Sequence, residues 1–328
     1  MIITQTPYRV SFAGGGTDLP AFYEHEFGAV LSMGIQQHMY ITVSPRFEKT
    51  MRVAYSRVEI AEDIDKIEHT IAREALRLTG LSEHLEITMV GDVPAGTGMG
   101  SSSSLAVGML NALYAYKGQI TSPGQLAQQA CDIEIDILGK PIGRQDQYAA
   151  AYGGVNYIKF NPDHTVDVEP VPCDPSFLGQ LENHIILLYT DQRRDADKIL
   201  KKQSEGSRDK MEVLREMRDL AGVLRTTMGG AGDLEDFGRI LHEGWLLKRS
   251  LGFGITNPGV DEWYNVARAN GAMGGKLLGA GGGGFLLLMA PPERHDAIRM
   301  ACGNPREIPF RIDRRGSRVI FISDRYAF

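Results

Sequence analysis

The alternation of apolar and polar residues predicts three strands in the first part of the chain. Residues 2–12 and 29–45 are rich in β-branched and aromatic side chains, and residues 85–90 alternate between apolar and polar positions. Both patterns are typical of strands that bury at least one face. The third strand leads directly into a glycine-rich segment, where a tight loop is expected.

Three further segments are predicted to be helices, because their apolar residues recur every three or four positions. The first covers residues 63–79 and is ended by Gly80. The second covers residues 101–117 and follows the glycine-rich segment. The third covers residues 122–138, between a Ser-Pro pair and a glycine, which are residues favoured at the start and the end of helices.

A proline-rich segment, residues 161–180, is the best candidate for a junction between domains. We therefore expect two domains, residues 1–170 and 171–328, each long enough to bury its own core. In the second domain the pattern predicts a buried strand at 184–190, two short strands beside another glycine-rich segment, and a final strand at 318–322. Helices are predicted at 195–228, 234–251, 260–269 and 294–301.

Composition and charge exclude several classes of protein. The chain has 328 residues, 43% of them hydrophobic, and a formal net charge of −6, so a globular protein that acts mainly on neither nucleic acid nor membrane is expected. Neither a signal peptide nor an apolar segment long enough to span a membrane is visible. The cysteines are isolated in sequence, which fits a cytoplasmic protein without disulfides.

Glycine is unusually frequent, and its excess is local. Of the 38 glycines, 15 lie in three windows, at residues 14–16, 91–100 and 271–284. Neither a collagen period nor a linker composition accounts for them. Glycines in such clusters let a backbone approach a ligand closely, so each window is a candidate binding loop.

The second window has the chemistry of a phosphate-binding loop. A strand enters it and a helix leaves it, so unpaired backbone N–H groups and the positive end of the helix dipole meet at one point. The string fits neither the Walker A loop nor the dinucleotide fingerprint; a simple turn with a helix N-cap is the alternative. The residues predicted to hold a polyphosphate are Pro94, Gly96, Gly98, Gly100, Ser101, Ser102 and Ser103.

All three windows resemble the motifs of the GHMP kinases, the family of galacto-, homoserine, mevalonate and phosphomevalonate kinases. The string PAGTGMGSSSS at 94–104 resembles the second motif, TPYRVSFAGGGTD at 6–18 the first, and GGKLLGAGGGG at 274–284 the third. The resemblance implies an α+β fold of two domains. The N-terminal α/β domain would contain a left-handed βαβ nucleotide-binding unit, and the C-terminal domain would be ferredoxin-like.

The resemblance also implies ATP and Mg²⁺ as cofactors and a role for four residues. Ser102 and Glu134 would hold Mg²⁺, Asp146 would orient and deprotonate the acceptor hydroxyl, and Arg9 would stabilise the transferred charge. The acceptor would be a sugar that contacts Gly15, Thr17, Asp18, Gly281 and Gly282. Purely structural alternatives exist: a surface arginine at Arg9, helix N-caps at Asp18 and Asp146, and a solvated helix around Glu134.

Gly15 and Gly16 stand where galactokinases have Glu-His, so galactose is a doubtful substrate. The string RVSFAGGGTDLPAFY at 9–23 resembles the subgroup of sugar 1-kinases that contains heptose 7-phosphate kinases and fucokinases. The chain lacks the long extra domain of bifunctional fucokinases, which favours the heptose enzymes. A substrate phosphate would need a cation, for which Arg193 is the candidate with its neighbour Arg194; a solvated helix start is the alternative.

Other functions stay open at this point. They are a fucokinase or another hexose 1-kinase, a non-catalytic sugar or nucleotide sensor, and an ATP-using lyase of the same fold. The expected partners are a small sugar or sugar phosphate together with ATP and ADP, and a homodimer is allowed for.

Overall fold

The computed structural model describes residues 1–82, 84–191, 199–201, 210–252 and 254–323. Within these ranges the strands form one sheet of eight strands and one of four. The first half of the chain supplies seven strands of the large sheet: β1 (Ile2–Ala13), β2 (Gly28–Pro45), β3 (Met51–Ala54), β4 (Val58–Ala61), β5 (Leu85–Gly91), β6 (Val155–Phe160) and β7 (Val166–Pro170).

The large sheet is built on a long antiparallel pair formed by β1 and β2. Beyond β2 the order continues through β5 and β3 to β4; β6 pairs with the first half of β2, and β7 pairs with β6. All of these pairs are antiparallel except β3 with β5. The register sets Arg9 opposite Gly34, so Arg9 lies well inside a paired strand.

The helices of the first half pack against this sheet or lead into its loops. They are α1 (Pro20–Tyr23), α2 (Thr70–Thr79), α3 (Ser101–Tyr116), α4 (Pro123–Cys131), α5 (Gln145–Tyr152) and α6 (Pro175–His184). The central helix α3 packs on β1 and β2 and buries Ala106, Met109 and Leu113 against them. One π-helical turn, Asp132–Ile137, continues directly from α4.

The second sheet contains β8 (Ile185–Tyr189), β9 (Gly274–Leu277), β10 (Phe285–Met289) and β11 (Glu307–Ile308). Its strands are antiparallel in the order β11-β8-β10-β9. With helices between its first and second strands and between its third and fourth, this is the ferredoxin-like arrangement. The described helices of this half are α7 (Met211–Thr226), α8 (Leu234–Ser250), α9 (Pro258–Ala269) and α10 (His295–Ala301).

The last strand, β12 (Arg318–Ile322), returns to the large sheet and pairs with β1. The segment before it is fixed by Asp313, whose carboxylate contacts His38 Nε2 at 2.6 Å and accepts a hydrogen bond from Arg318 Nη2 at 2.8 Å. Burial opposes ionisation, but the hydrogen bonds from His38, the Arg315 backbone and Arg318 lower the pKa of Asp313 to about 2. The strand predicted at 318–322 is thus confirmed, although it closes the first sheet and not the second.

Most predicted elements are confirmed, and the helix predicted at 63–79 is wrong in its first half. Ile64–Lys66 form a 3₁₀ turn, the backbone at Ile67 is extended, and the α-helix begins only at Thr70. It ends at Gly80 in the left-handed conformation, as predicted. Ile67 is buried although it is not helical, which explains why the apolar spacing extended past the true start.

The long helix predicted at 195–228 falls partly on residues 192–198 and 202–209, outside the described ranges. The described part of this segment includes α7, which is followed by a short π-helical turn. In the described ranges, no helix has both the length and the apolar character that crossing a membrane requires.

Candidate active site

The three glycine-rich windows meet at one cleft of about 180 Å³ between the two sheets. It is lined by the loop after β1, the loop before α3, the turn before α5 and the loop between β9 and β10. Side chains from β1, β9 and α8 and from the described residue Leu200 also line it. The cleft therefore combines residues from both halves of the chain.

The loop before α3 has the geometry of an anion cradle. Gly96, Gly98 and Gly100 have φ values of 79°, 83° and 73°, a left-handed conformation that disfavours residues with a side chain. Gly100 directly precedes α3, so the free N–H groups of the first helical turn lie at the cleft beside Ser101 and Ser102. A polyphosphate would meet backbone donors and the positive end of the helix dipole here.

The second and third glycine windows are in direct backbone contact, which explains several of their glycines. A Cβ atom on Gly98 would lie 2.4 Å from the Leu278 carbonyl oxygen, and one on Gly279 would lie 2.5 Å from Gly98 Cα. A Cβ on Gly284 would lie 2.4 Å from the Thr97 carbonyl oxygen. Side chains at these positions would push the two loops apart, so the glycines hold the cleft together.

Arg9 and Asp146 form a bidentate ion pair inside the cleft. Arg9 Nε and Nη2 each donate to one carboxylate oxygen of Asp146 at 2.7 Å, and Nη1 donates to the Gly98 carbonyl at 2.7 Å. The Arg9 side chain is 5% exposed and that of Asp146 is 23% exposed. The arginine thus fixes the carboxylate at the phosphate loop while leaving part of it accessible to a substrate.

Glu134 is the centre of a second polar cluster. It lies in the π-helical turn after α4, is fully buried, and accepts hydrogen bonds from Ser102 and Ser103 on α3. Lys140 Nζ donates to Ser102 Oγ at 2.8 Å and to Glu134 Oε1 at 3.0 Å. Gln147 Nε2 donates to Glu134 Oε2 at 2.8 Å, so the carboxylate is held from three elements.

The side chains of this cluster are suited to bind Mg²⁺. Carboxylate and hydroxyl oxygens are the donors that Mg²⁺ prefers, and it commonly takes only one or two carboxylates beside phosphate oxygens. The Lys140 ammonium already lies on the same two oxygens, so the site attracts a cation. No group of three or more His, Cys, Asp or Glu side chains placed to hold a metal ion occurs among the described residues, so phosphate or water oxygens would have to complete the coordination.

Asp18 lies buried at the other side of the cleft. Its carboxylate accepts hydrogen bonds from the Gly16 N–H at 2.8 Å and from Gln145 Nε2 at 2.9 Å. Burial raises the pKa of Asp18, and the nearby Asp146 raises it further. Gly143 lies directly against this side chain, since a Cβ there would be 1.9 Å from Asp18 Oδ2. Asp18 is therefore a hydrogen-bonding group held close to the Arg9–Asp146 pair.

The structure brings most of the predicted residues together, and five of those it describes do not line the cleft. One is Glu134, which is fully buried and reaches the cleft only through its contacts to Ser102 and Ser103. Thr17 is fully buried, and its hydroxyl donates to the carbonyls of Gly14 and Ala29. Pro94 is exposed and accepts a hydrogen bond from Thr97 at its carbonyl. The backbones of Gly281 and Gly282 pack against Ile255, and their neighbours Gly279 and Ala280 line the cleft instead. The substrate contacts expected of Thr17, Gly281 and Gly282 stay predictions, and none of these three residues lines the cleft.

The two arginines predicted to bind a substrate phosphate, Arg193 and Arg194, lie outside the described residues. The structure instead reveals three lysines at the cleft that were not predicted as site residues: Lys140, Lys248 and Lys276. Lys276 belongs to the third glycine-rich motif, which was a usable signal. Nothing in the local sequence distinguishes Lys248 from the other charged residues of a long amphipathic helix.

Comparisons with known proteins point in one direction. Residues 64–154 match the family model of the GHMP kinases N terminal domain, and residues 224–304 match the model of the GHMP kinases C terminal. Together these ranges span just over half of the chain.

The D-glycero-alpha-D-manno-heptose 7-phosphate kinase of Campylobacter jejuni is 29% identical over 89% of this chain and 90% of its own. The L-fucokinase/L-fucose-1-P guanylyltransferase of Bacteroides fragilis is 26% identical over 87% of this chain, but the match spans only 34% of that longer protein. Among solved structures, a D-glycero-D-manno-heptose 1-phosphate kinase from Bacteroides thetaiotaomicron superposes with a TM-score of 0.82 at 25% identity, covering 99% of this chain and all of its own.

Proposed function

The chain belongs to the GHMP kinase family and is a phosphotransferase, and we propose that it transfers the γ-phosphoryl group of ATP to the anomeric hydroxyl of a heptose. The proposed reaction converts D-glycero-D-manno-heptose 7-phosphate into the 1,7-bisphosphate and would feed nucleotide-sugar synthesis for surface polysaccharide. One observation carries the proposal of phosphoryl transfer: the Arg9–Asp146 pair lies at the phosphate loop and opens to the same cleft as Asp18.

Asp146 would orient the acceptor hydroxyl and take up its proton. Both of its oxygens are held by Arg9, so the carboxylate has one fixed orientation when the hydroxyl arrives. The phosphoryl-transfer transition state is loose and needs little assistance from a base, so orientation is the larger contribution. Arg9 also contacts the Gly98 carbonyl, which places its positive charge where the transferred phosphoryl group would pass.

Ser102 and Glu134 would hold Mg²⁺ beside the β- and γ-phosphates. Bound there, the ion would neutralise negative charge on the phosphate oxygens. Lys140 is hydrogen-bonded to both of these side chains. Its ammonium would therefore have to move away from them in part or turn toward the triphosphate. The free N–H groups at the start of α3 would bind the phosphates from the other side.

The proposed acceptor rests on similarity and on the first glycine window. The heptose kinase of Campylobacter jejuni is matched over nearly its whole length, whereas the fucokinase of Bacteroides fragilis is matched over one part. Gly15 and Gly16 line the cleft without side chains, so the space near Asp18 is open to a bulky sugar. L-Fucose is the second candidate, supported by the identity of 26% to the fucokinase.

An ADP-release assay with a panel of acceptors tests the proposal. The panel contains D-glycero-D-manno-heptose 7-phosphate, the unphosphorylated heptose, L-fucose, D-galactose and mevalonate, each with MgATP. We expect the heptose phosphate to give the highest kcat/KM, and phosphorus NMR of the product to show a new anomeric phosphate. Preference for fucose would replace the heptose proposal, and ADP release with none of the sugars would refute sugar phosphorylation.

A further inference from the structure

Lys248 is a buried cation whose hydrogen-bonding capacity is largely unused. It extends from α8 into the cleft with 5% of the residue exposed. Within the described ranges its ammonium donates to one partner, the Gly279 carbonyl. An ammonium carries three N–H donors, and burying unsatisfied donors on a charged group is costly. Burial, reinforced by the charge of Arg9, lowers the pKa of Lys248 to about 8, while Asp18 and Asp146 act in the opposite direction.

Lys248 is connected to the phosphate loop through one intervening residue. Its partner Gly279 is in backbone contact with Gly98, whose carbonyl accepts a hydrogen bond from Arg9 at 2.7 Å. Lys248 and Arg9 therefore approach the same part of that loop from opposite halves of the chain. Five titratable groups influence one another here, three basic and two acidic: Lys248, Arg9, Lys276, Asp18 and Asp146.

Ser11 supplies a second, independent observation. It is 8% exposed and lines the same cleft, and its hydroxyl oxygen has no hydrogen-bond partner among the residues that the structure describes. Its backbone is fixed, because Lys276 Nζ donates to the Ser11 carbonyl at 2.7 Å and to the Phe12 carbonyl at 3.2 Å. A buried hydroxyl and a buried ammonium without full partners indicate a polar group that arrives from outside the chain.

We propose that Lys248 and the Ser11 hydroxyl form an oxyanion subsite of the cleft that binds a phosphate group during the reaction. The inference rests on the proposed phosphoryl transfer and deepens it. A phosphate oxygen is an acceptor without donors in its dianionic form, so it satisfies both groups at once. The phosphate has two available sources, the γ-phosphoryl group of ATP and the phosphate that the heptose carries at its far end.

Binding measurements on Lys248→Met and Ser11→Ala separate the two sources. The first arm compares ADP with its β,γ-imido triphosphate analogue by calorimetry; these ligands differ in the γ-phosphate and need no acceptor. The second arm compares KM for heptose 7-phosphate with KM for the unphosphorylated heptose. Lys49→Met, a loss of the same charge at an exposed position, is the matched control.

We expect Lys248→Met to weaken the binding of either the triphosphate analogue or heptose 7-phosphate by about 10- to 100-fold. The other member of that pair, ADP or the unphosphorylated heptose, should stay within about twofold of the control. A loss confined to the triphosphate analogue assigns the subsite to the transferred group; a loss confined to heptose 7-phosphate assigns it to the acceptor. Equal loss for both members of each pair, or no loss, overturns the proposal, since a lysine that only supports the loop would not distinguish them.

Ser11→Ala keeps the test decisive if Lys248→Met fails to fold, because it removes a hydroxyl that has no hydrogen-bond partner among the described residues and leaves the Ser11 carbonyl, which Lys276 binds, in place. The same selective loss, of smaller size, is expected. If no sugar is phosphorylated, the nucleotide arm still tests the subsite. If the wild-type chain binds neither nucleotide, the proposed function fails together with the subsite.

Discussion

Substituting Gly143 by alanine should disable the acceptor side of the cleft through a single methyl group. A Cβ at this position would lie 1.9 Å from Asp18 Oδ2 and 2.4 Å from Asp18 Cγ, whereas such contacts essentially never fall below 3.0 Å. The φ angle of Gly143 is not in the left-handed range, so the backbone itself accepts alanine. The strain falls on Asp18.

The size of the effect follows from that overlap. The Asp18 carboxylate must retreat by about 1 Å, which breaks its hydrogen bonds to the Gly16 N–H and to Gln145. A misplacement of about 1 Å at a reacting centre costs roughly 100-fold in rate. We therefore expect kcat/KM for the acceptor to fall about 100-fold, and overpacking to lower the free energy of unfolding by about 1–3 kcal/mol.

The assay measures kcat/KM for the acceptor and, separately, calorimetric affinity for ADP. ADP affinity should stay within about twofold of wild type, because the three atoms nearest to a Cβ on Gly143 all belong to Asp18 and none to the phosphate loop. The control is Gly179→Ala in α6, where a Cβ would have nothing within 4 Å. Wild-type kcat/KM in folded Gly143→Ala would refute the argument that Asp18 acts on the acceptor.

Three further predictions follow from individual contacts. Asp146→Asn should lower kcat by about 10²- to 10⁴-fold while the affinity for ADP changes little, as measured by steady-state kinetics and calorimetry; near-normal turnover would contradict the role given to this carboxylate. Thr17→Val should lower the free energy of unfolding by about 1–3 kcal/mol, since it leaves the carbonyl and N–H of Ala29 without their bonds; KM for the sugar should be unchanged if the residue does not contact it. Asp313, with a pKa of about 2 in the folded chain against 3.8 ordinarily, stabilises the fold above pH 4 by about 2 kcal/mol and loses this as pH falls through 2. In urea unfolding, the free energy of unfolding of Asp313→Asn should therefore differ from that of wild type at pH 6, and the two should converge near pH 2. A difference that does not change with pH would mean that neither the ionisation of Asp313 nor its contact with His38 is the cause.

The parts of the site that were predictable are those encoded locally. The glycines at 96, 98 and 100 are needed for left-handed backbone just before a helix, and this requirement is visible in the sequence. Arg9 and Asp146 are 137 positions apart, and only the resemblance of their surrounding motifs brought them into one hypothesis. The family fold, including the ferredoxin-like second sheet, could be predicted for the same reason.

The features that the sequence could not predict are those that tertiary contacts decide. Thr17 is a polar residue in a binding loop, and only the fold reveals that its hydroxyl is taken up by Ala29, 12 residues later. Lys248 reaches the cleft from a helix with ordinary amphipathic spacing, so its burial depends on contacts to Gly279 in another element. Apolar residues at 64 and 67 pack in the core from a 3₁₀ turn and an extended residue, which a periodicity of three and four cannot distinguish from a helix.

The return of β12 to the first sheet has a consequence for how the protein is made. A ribosome delivers residues in order, so β1 emerges before every other described strand and its neighbour β12 emerges after all of them. Until then one edge of β1 presents unpaired backbone groups, which are a template for wrong pairing. The large sheet thus reaches its full hydrogen bonding only after all strands of the four-stranded sheet have been synthesised, so the first sheet to begin is the last to be completed.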